Sequence, residues 1–120
     1  MSRHDDRITI LQLLDYAVEA VEMARSRTRK DLDDDRMFDL SVRQLLEIIG
    51  EAARRVSPDT RASCPGVAWS EMIAVRNRIA HGYDEVNFDR VWEIVQDDLP
   101  SLIAELRRIL AMNPSPIKPL

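Results

Sequence analysis

Residues 35–56, with the sequence DRMFDLSVRQLLEIIGEAARRV, decide the fold of this 120-residue chain. Apolar side chains recur there at intervals of three and four residues, which is the spacing of one face of an α-helix. These positions are Phe38, Val42, Leu45, Ile49, Ala52 and Val56. A neighbouring row formed by Leu46, Gly50 and Ala53 has small side chains, which would let another backbone come close. We therefore predict a long helix from about Asp35 to Val56, stopped by Ser57-Pro58.

Three other segments share this helical period. The first runs from about Asp6 to Ser26, capped by Asp5 or Asp6, and its stripe consists of Ile10, Leu14, Ala17, Val21 and Ala24, widened by Leu11 and Val18. A short helix is predicted over Trp69–His81, with Gly82 placed to end it. The last helix starts after Asn87, and its stripe consists of Val91, Val95, Leu99, Leu102, Leu106 and Ile109. Pro100 should kink or restart this helix near Leu99.

The remaining segments are predicted as connections. Residues 27–35 are charged and have no apolar period, and residues 57–66 indicate a loop with at most one short turn. No stretch predicts a strand, and there is no internal repeat. The predicted fold is all-α, an antiparallel four-helix bundle in residues 1–112 with a short third helix, followed by a Pro-rich mobile tail in 113–120.

Composition excludes several classes of function. The formal net charge of −4 does not favour non-specific binding of nucleic acid. The single cysteine, Cys64, cannot form an internal disulfide, no apolar run is long enough to cross a membrane, and the charged N-terminus does not resemble a signal peptide. We expect a cytoplasmic protein that does not bind membranes. Phosphate-binding glycine loops, zinc-ligand pairs and nucleophile elbows are absent, so no metal and no cofactor is predicted.

The end of the third helix holds the residues best suited to catalysis or ligand binding. Residues 76–83 have the sequence RNRIAHGY. On a helical wheel Arg76 lies inside the apolar arc, whose members are Met72, Ile73, Val75, Ile79 and Ala80. An arginine there is costly unless it is paired or reaches water. Its stem could snorkel past the core, it could pair with Glu47 or Glu51 of the second helix, or it could face a partly desolvated cleft that receives an anion.

Asn77 and His81 lie on the other side of the same helix. They are four residues apart, so their side chains are neighbours. His81 is rotated by roughly 140° from Arg76 on an ideal helix. A regular helix would not easily aim both side chains at one phosphate. Either the helix end unwinds, or two subunits combine their motifs, and this geometry favours a dimer.

The pattern Arg76-x4-His81-x-Tyr83, at the end of a short helix in a small four-helix domain, resembles the HEPN superfamily. It is most similar to the HepT-like toxin family, whose motif is Arg-x4-His-x-Tyr. Three further segments carry the likeness, which covers about residues 5–110: IIGEAA at 48–53, Trp69 with MIAVRN at 72–77, and VWEIV at 91–95 continuing through DLP at 98–100.

The resemblance implies a toxin of a bacterial toxin–antitoxin pair. Members are described as metal-independent endoribonucleases that dimerise, so that both motifs line one cleft. Carried over, Arg76 and His81 are catalytic, with Asn77 and Glu51 as supporting residues. An MntA-like nucleotidyltransferase antitoxin would transfer AMP from ATP to Tyr83 and silence the toxin. The substrate would be RNA, with tRNA and mRNA as candidates, cleaved through attack by its 2′-hydroxyl.

Two other interpretations remain open at this stage. The domain could be a non-catalytic HEPN dimer that binds a nucleotidyltransferase partner, since long apolar stripes mostly serve packing. It could also be a purely structural helical dimer in which Arg76 forms a buried ion pair. The acidic net charge predicts local rather than global attraction of RNA, and therefore cleavage of a structured target rather than of bulk RNA.

Overall fold

A computed structural model describes residues 5–82 and 86–112. Tyr83 and the predicted tail at 113–120 lie outside the described residues. Over the described ranges the secondary structure is helical, without strands, as the sequence predicts. The helices are α1 (Asp6–Ala24), α2 (Asp31–Asp34), α3 (Arg36–Arg55), α4 (Pro58–Ser63), α5 (Trp69–His81), α6 (Phe88–Glu93) and α7 (Leu99–Met112), with a π-helical turn (Ile94–Asp98) between the last two.

The central helix α3 forms as predicted. Asp35 caps it by accepting a hydrogen bond from the backbone N–H of Phe38. The whole predicted stripe is buried, and so is the neighbouring row that contains Gly50. Ser57 ends α3 and also caps α4, accepting from the N–H of Thr60, while Pro58 occupies the first turn of α4. One face of α3 thus packs against the core, and its row of small residues can contact another helix.

Helix α1 is capped by Asp5, but its buried face differs from the predicted stripe. Asp5 accepts hydrogen bonds from the N–H groups of Arg7 and Ile8. The residues most deeply buried along α1 are Thr9, Leu13, Ala17, Ala20 and Ala24. Leu11 is 41% exposed, so its predicted place in the core is wrong. The small alanines define the core face because they let neighbouring helices approach, whereas periodicity alone favours the larger leucine.

The charged segment 27–35 is not a plain connector. It contains the helical turn α2, which buries Leu32 to 2% exposure. Arg27 pairs with Asp35 and also lies over the ring of Phe38, 4.5 Å from its centroid. These contacts explain why a highly charged segment folds here: its single leucine reaches the core while its charges pair with each other and with α3.

The last helical segment is interrupted near Leu99, as Pro100 predicts. Asn87 caps α6 by accepting from the N–H groups of Asp89 and Arg90. In the following turn the N–H of Leu99 donates to the carbonyl of Ile94, five residues back. A proline has no N–H and its ring collides with the preceding turn, so a wider turn relieves the chain before α7 begins.

The long helices pack antiparallel to their neighbours. Asp6, at the start of α1, accepts hydrogen bonds from the N–H and hydroxyl of Ser57, just after α3. Arg29, before α2, pairs with Asp89 at the start of α6. Helix α5 packs mainly on α3 and makes little contact with the segment from α6 to α7. Among the described helices, none is both long and apolar enough to cross a membrane.

Candidate active site

Gly50 brings α5 unusually close to α3. A Cβ at this position would overlap the Cβ of Arg76 and would lie 2.6 Å from the carbonyl oxygen of Met72. No other residue type could therefore occupy the position without moving α5. The predicted close approach along the small-residue row is thus confirmed, and the contact fixes the stem of Arg76 against the end of α3.

The Arg76 side chain is half-buried between these helices, with 27% of it exposed. Its Nε lies 3.5 Å from Oε2 of Glu51, an ion pair in which Nε makes no hydrogen bond. One terminal nitrogen, Nη1, donates to Oδ1 of Asn77 at 3.1 Å. The structure therefore places Arg76 in the predicted pairing with Glu51, and it also leaves the end of the guanidinium open to solvent.

Glu51 is shared between two arginines. Arg54, three residues along α3, donates from Nη2 to Oε1 at 2.7 Å and from Nε to Oε2 at 3.2 Å. This hydrogen bonding lowers the pKa of Glu51, burial opposes the shift, and the charges of Arg54, Arg76 and Arg55 lower the pKa further. Glu51 consequently stays ionised and holds two guanidinium groups from different helices.

His81 lies on the far side of α5. With Asn77 and Arg78 it lines an open groove between α5 and the segment from Val86 to Ile94. The floor of this groove is apolar and consists of Val75, Ile79, Val86, Val91 and Ile94. His81, Asn77 and Arg78 are all exposed, as the helical wheel predicts. The imidazole is therefore accessible from the groove.

The backbone of α5 remains helical through His81. The N–H of Gly82 donates to the carbonyl of Arg78 at 2.7 Å, and Gly82 has a φ of −120° rather than a left-handed conformation. The first of the two predicted solutions, an unwound helix end, is therefore wrong up to His81. Arg76 faces α3 while His81 faces the groove, and Asn77 links the two sides because it lines the groove and bonds to Arg76.

The segment after the groove is anchored at Phe88. The guanidinium of Arg29 lies 5.8 Å from the ring centroid, and that of Arg43 lies 5.7 Å from it. Arg43 is itself held by buried Asp39 through two hydrogen bonds of 2.8 and 2.6 Å. The predicted modification site, Tyr83, lies outside the described residues, between Gly82 and this anchor.

Sequence reasoning missed one member of the site and undervalued another. Arg54 was not singled out, although its spacing of three residues from Glu51 on a helix is a signal for such a pair. Gly50 was predicted to let another backbone come close, but its contact with Arg76 was not predicted. Trp69 is a packing anchor of the core, being 6% exposed with its Nε1 donating to the carbonyl of Cys64. Over the described ranges, no three His, Cys, Asp or Glu side chains cluster as metal ligands.

Comparisons with known proteins identify a family model and several related chains. A family model described as "Ribonuclease HepT-like" matches residues 13–109, which include α3, α5 and both motif residues. The chain is 31% identical over 106 residues to "Putative RNase MJ1380" of Methanocaldococcus jannaschii, covering 88% of this chain and 97% of that protein. It is also 31% identical over 100 residues to "Probable ribonuclease HepT" of Thermococcus cleftensis, covering 80% and 91%. No solved structure matches the chain significantly.

Proposed function

This chain belongs to the HepT-like ribonuclease family, and on that premise we propose that it is a metal-independent endoribonuclease. Arg76 and His81 are its catalytic groups. Glu51 and Asn77 position the guanidinium of Arg76. Its substrate is a structured RNA, because a chain with a net charge of −4 attracts RNA only where positive side chains gather.

The observation that carries this proposal is the state of the Arg76 guanidinium. Asn77 accepts a hydrogen bond from Nη1 and the Glu51 carboxylate lies 3.5 Å from Nε, whereas Nη2 has no hydrogen-bond partner among the described residues. A fixed, partly desolvated guanidinium with a free edge suits a phosphate oxygen, because it is always charged and needs little reorganisation.

The chemistry follows from an arginine and an imidazole. The 2′-hydroxyl of the RNA attacks the adjacent phosphorus, and the bond from phosphorus to the 5′-oxygen of the next nucleotide breaks. His81 moves the proton of the 2′-hydroxyl, because an imidazole exchanges protons near neutral pH. Arg76 stabilises the extra negative charge on the phosphoryl oxygens. The products are a 2′,3′-cyclic phosphate and a 5′-hydroxyl, the latter completed by a proton.

A second copy of the chain completes the site in this proposal. In one copy Arg76 and His81 face different sides of α5, and the helix is regular between them. A two-fold dimer can bring the arginine of one copy towards the histidine of the other. Each interface then holds two equivalent pairs of catalytic groups.

Cleavage of RNA in the presence of EDTA tests the proposal. We expect the parent chain to cleave tRNA or a structured mRNA fragment, and Arg76→Ala or His81→Ala to reduce cleavage at least about a thousandfold, a loss within the range for such groups. Arg107→Ala, which removes an exposed arginine of α7, is the matched control. Circular dichroism verifies that helix content is unchanged. Parental activity in either motif variant, or a 3′-hydroxyl on the upstream fragment, would refute the mechanism.

A non-catalytic HEPN dimer that binds a nucleotidyltransferase is the second candidate. The ion pair between Arg76 and Glu51 favours it, because a paired arginine can serve packing alone. The two candidates differ in one measurement. A purified dimer that binds a nucleotidyltransferase but leaves tRNA and mRNA intact in EDTA would support the second and exclude the first.

We further propose that the chain is the toxin of a bacterial toxin–antitoxin pair acting in the cytoplasm. An MntA-like nucleotidyltransferase would neutralise it by AMPylation of Tyr83. Each AMP would add negative charge and bulk two residues from His81, which would repel an RNA phosphate. Intact-mass analysis after co-expression should show mass gains in steps of one AMP. Tyr83→Phe should show no gain and should remain toxic beside the antitoxin; protection of that variant would place the modification elsewhere.

A further inference from the structure

Three arginines surround one carboxylate at the C-terminal end of α3. Arg54 bonds to Glu51 through two nitrogens, and Arg76 approaches the same carboxylate from α5. Arg55 lies four residues after Glu51, on the same face of α3, and is exposed. We call these three arginines with Glu51 the α3–α5 arginine cluster. Its formal charge is +2.

The ratio of three arginines to one carboxylate is unusual within the described part of the chain. Elsewhere each ion-paired arginine has at least one carboxylate of its own. These pairs are Arg25 with Glu22, Arg27 with Asp35, Arg29 with Asp33 and Asp89, Arg43 with Asp39, Arg90 with Glu93 and Asp98, and Arg108 with Glu105. The next carboxylate on this face of α3, Glu47, lies one helical turn back. Around Glu51 itself, positive charge therefore exceeds negative charge, while the carboxylate of Asp6 lies at Ser57, just after the end of α3.

The cluster is also accessible and rigidly placed. The Arg54 side chain is 59% exposed, so its hydrogen bonds to Glu51 leave much of the guanidinium in water. Gly50 fixes the distance between α3 and α5, because a Cβ there would overlap Arg76. An anion that reaches the open edge of Arg76 therefore finds two further positive side chains on the adjacent helix.

We propose that Arg54 and Arg55 bind an RNA phosphate next to the one that Arg76 holds, so that the α3–α5 arginine cluster recognises at least two consecutive phosphates. This inference rests on the proposed ribonuclease function, since RNA is the polyanion that such an enzyme must hold. Consecutive phosphates of RNA are spaced along the backbone, so separate guanidinium groups can each bind one of them. Such phosphate contacts do not depend on the base sequence.

Kinetics on two substrates test this proposal. A dinucleoside monophosphate has only the scissile phosphate, whereas an oligonucleotide has neighbouring phosphates as well. We expect Arg54→Gln and Arg55→Gln each to raise KM for the oligonucleotide about tenfold, the value of one hydrogen-bonded charge contact. Hydrolysis of the dinucleoside monophosphate should remain within about twofold in Arg55→Gln, whereas Arg54→Gln also releases Glu51, which positions Arg76 in the proposed mechanism. Arg55→Lys should recover part of the loss because it keeps the charge.

Arg36→Gln is the matched control, because Arg36 is exposed on the same helix about 28 Å away along its axis. Equal losses on both substrates in Arg55→Gln would overturn the proposal, since they would mean that Arg55 acts only on the catalytic groups. Unchanged KM for the oligonucleotide in both variants would overturn it as well.

A binding measurement separates this inference from the proposed function. The probe is an oligonucleotide with 2′-O-methyl groups, which cannot be cleaved by the proposed mechanism. We expect the slope of log affinity against log salt to fall by about 0.7 for each phosphate contact that a variant removes. If the parent chain cleaves no RNA, the nuclease proposal fails while this slope still decides the phosphate site. A slope that is the same in Arg54→Gln, Arg55→Gln and Arg36→Gln would refute the site.

Discussion

The two sides of α5 differ in how tightly they are packed. On the side of α3, Gly50 permits near-contact of the two backbones, and the ion pairs of Glu51 hold Arg76. On the side of α6, the same helix borders an open groove, and His81 is exposed. A short helix can thus present one motif residue as part of a rigid interface and another as part of an open surface.

This contrast has a physical consequence for catalysis. A phosphate-binding group gains from being fixed before the substrate arrives, because electrostatic stabilisation then needs no reorganisation. A proton-transfer group must instead be reached by the substrate. In the proposed mechanism, the close packing of α5 on α3 would serve the first requirement, and the little contact between α5 and α6 would serve the second. A second copy is the simplest way to bring both together.

The largest expected effect is the recovery of activity when two inactive variants are mixed. It tests whether the two sides of α5 act together in different copies of the chain. We expect dimers formed from equal amounts of Arg76→Ala and His81→Ala chains, unfolded and refolded together, to regain about a quarter of the parental activity. Half of the dimers are then mixed, and each mixed dimer keeps one of its two catalytic pairs. Each variant refolded alone is the control. No recovery beyond these controls would mean that each site takes both groups from one chain.

Gly50→Ala should disrupt the packed side of α5. The added methyl would overlap Arg76 and press on the carbonyl of Met72, so α5 must move away from α3. We expect the free energy of unfolding to fall by about 1–3 kcal/mol, as for other overpacked interfaces. Urea denaturation measures the change. Gly50→Ala itself raises helix propensity, so a fall in its urea midpoint is due to overpacking, whereas Ala53→Gly, on the same row, lowers helix propensity and adds no methyl. Stability equal to that of the parent would contradict the close approach.

Glu51→Gln tests whether the negative charge of Glu51 stabilises the side of α5 that packs on α3. Hydrogen bonds from Arg54 hold the pKa of Glu51 below its ordinary value of 4.5. A lowered carboxyl pKa contributes stability that is present above the unfolded pKa and is lost as the pH falls through the folded pKa. We therefore expect the parent to be more stable than the variant at pH 7, and the difference to shrink below about pH 4.5. Thermal melting over this pH range measures it. A difference that stays constant on acidification would argue that the charge of Glu51 is not involved.

Arg78→Ala should have the smallest effect on folding. Arg78 is exposed on the groove side of α5, and no described residue forms an ion pair with it. We expect the free energy of unfolding to change by less than about 0.5 kcal/mol, which is usual for exposed positions. Arg76→Ala, two residues earlier, should destabilise more because it removes packing against Gly50 and the pair with Glu51. Equal urea midpoints for the two variants would contradict the difference in packing between the α3 side and the groove side of α5.

Much of the fold could be predicted because the local signals are strong. The stripe of α3, the cap at Asn87 and the break near Leu99 depend on residues close together in sequence. The bounds of α5 were also predicted, since Trp69 begins its apolar pattern and Gly82 follows it. The errors, at Leu11 and α2, arose where burial depends on which neighbouring helix covers a face. Periodicity cannot contain that information.

For the site, the sequence by itself determined which side chains α5 carries and how they are rotated about its axis. It therefore placed Arg76 and His81 on different faces, since helical geometry is fixed by backbone hydrogen bonding. Only the tertiary structure decided that Glu51, rather than Glu47, pairs with Arg76, and that Arg54 shares that carboxylate. These contacts join residues on separate helices, and their distances depend on how closely the helices pack at Gly50.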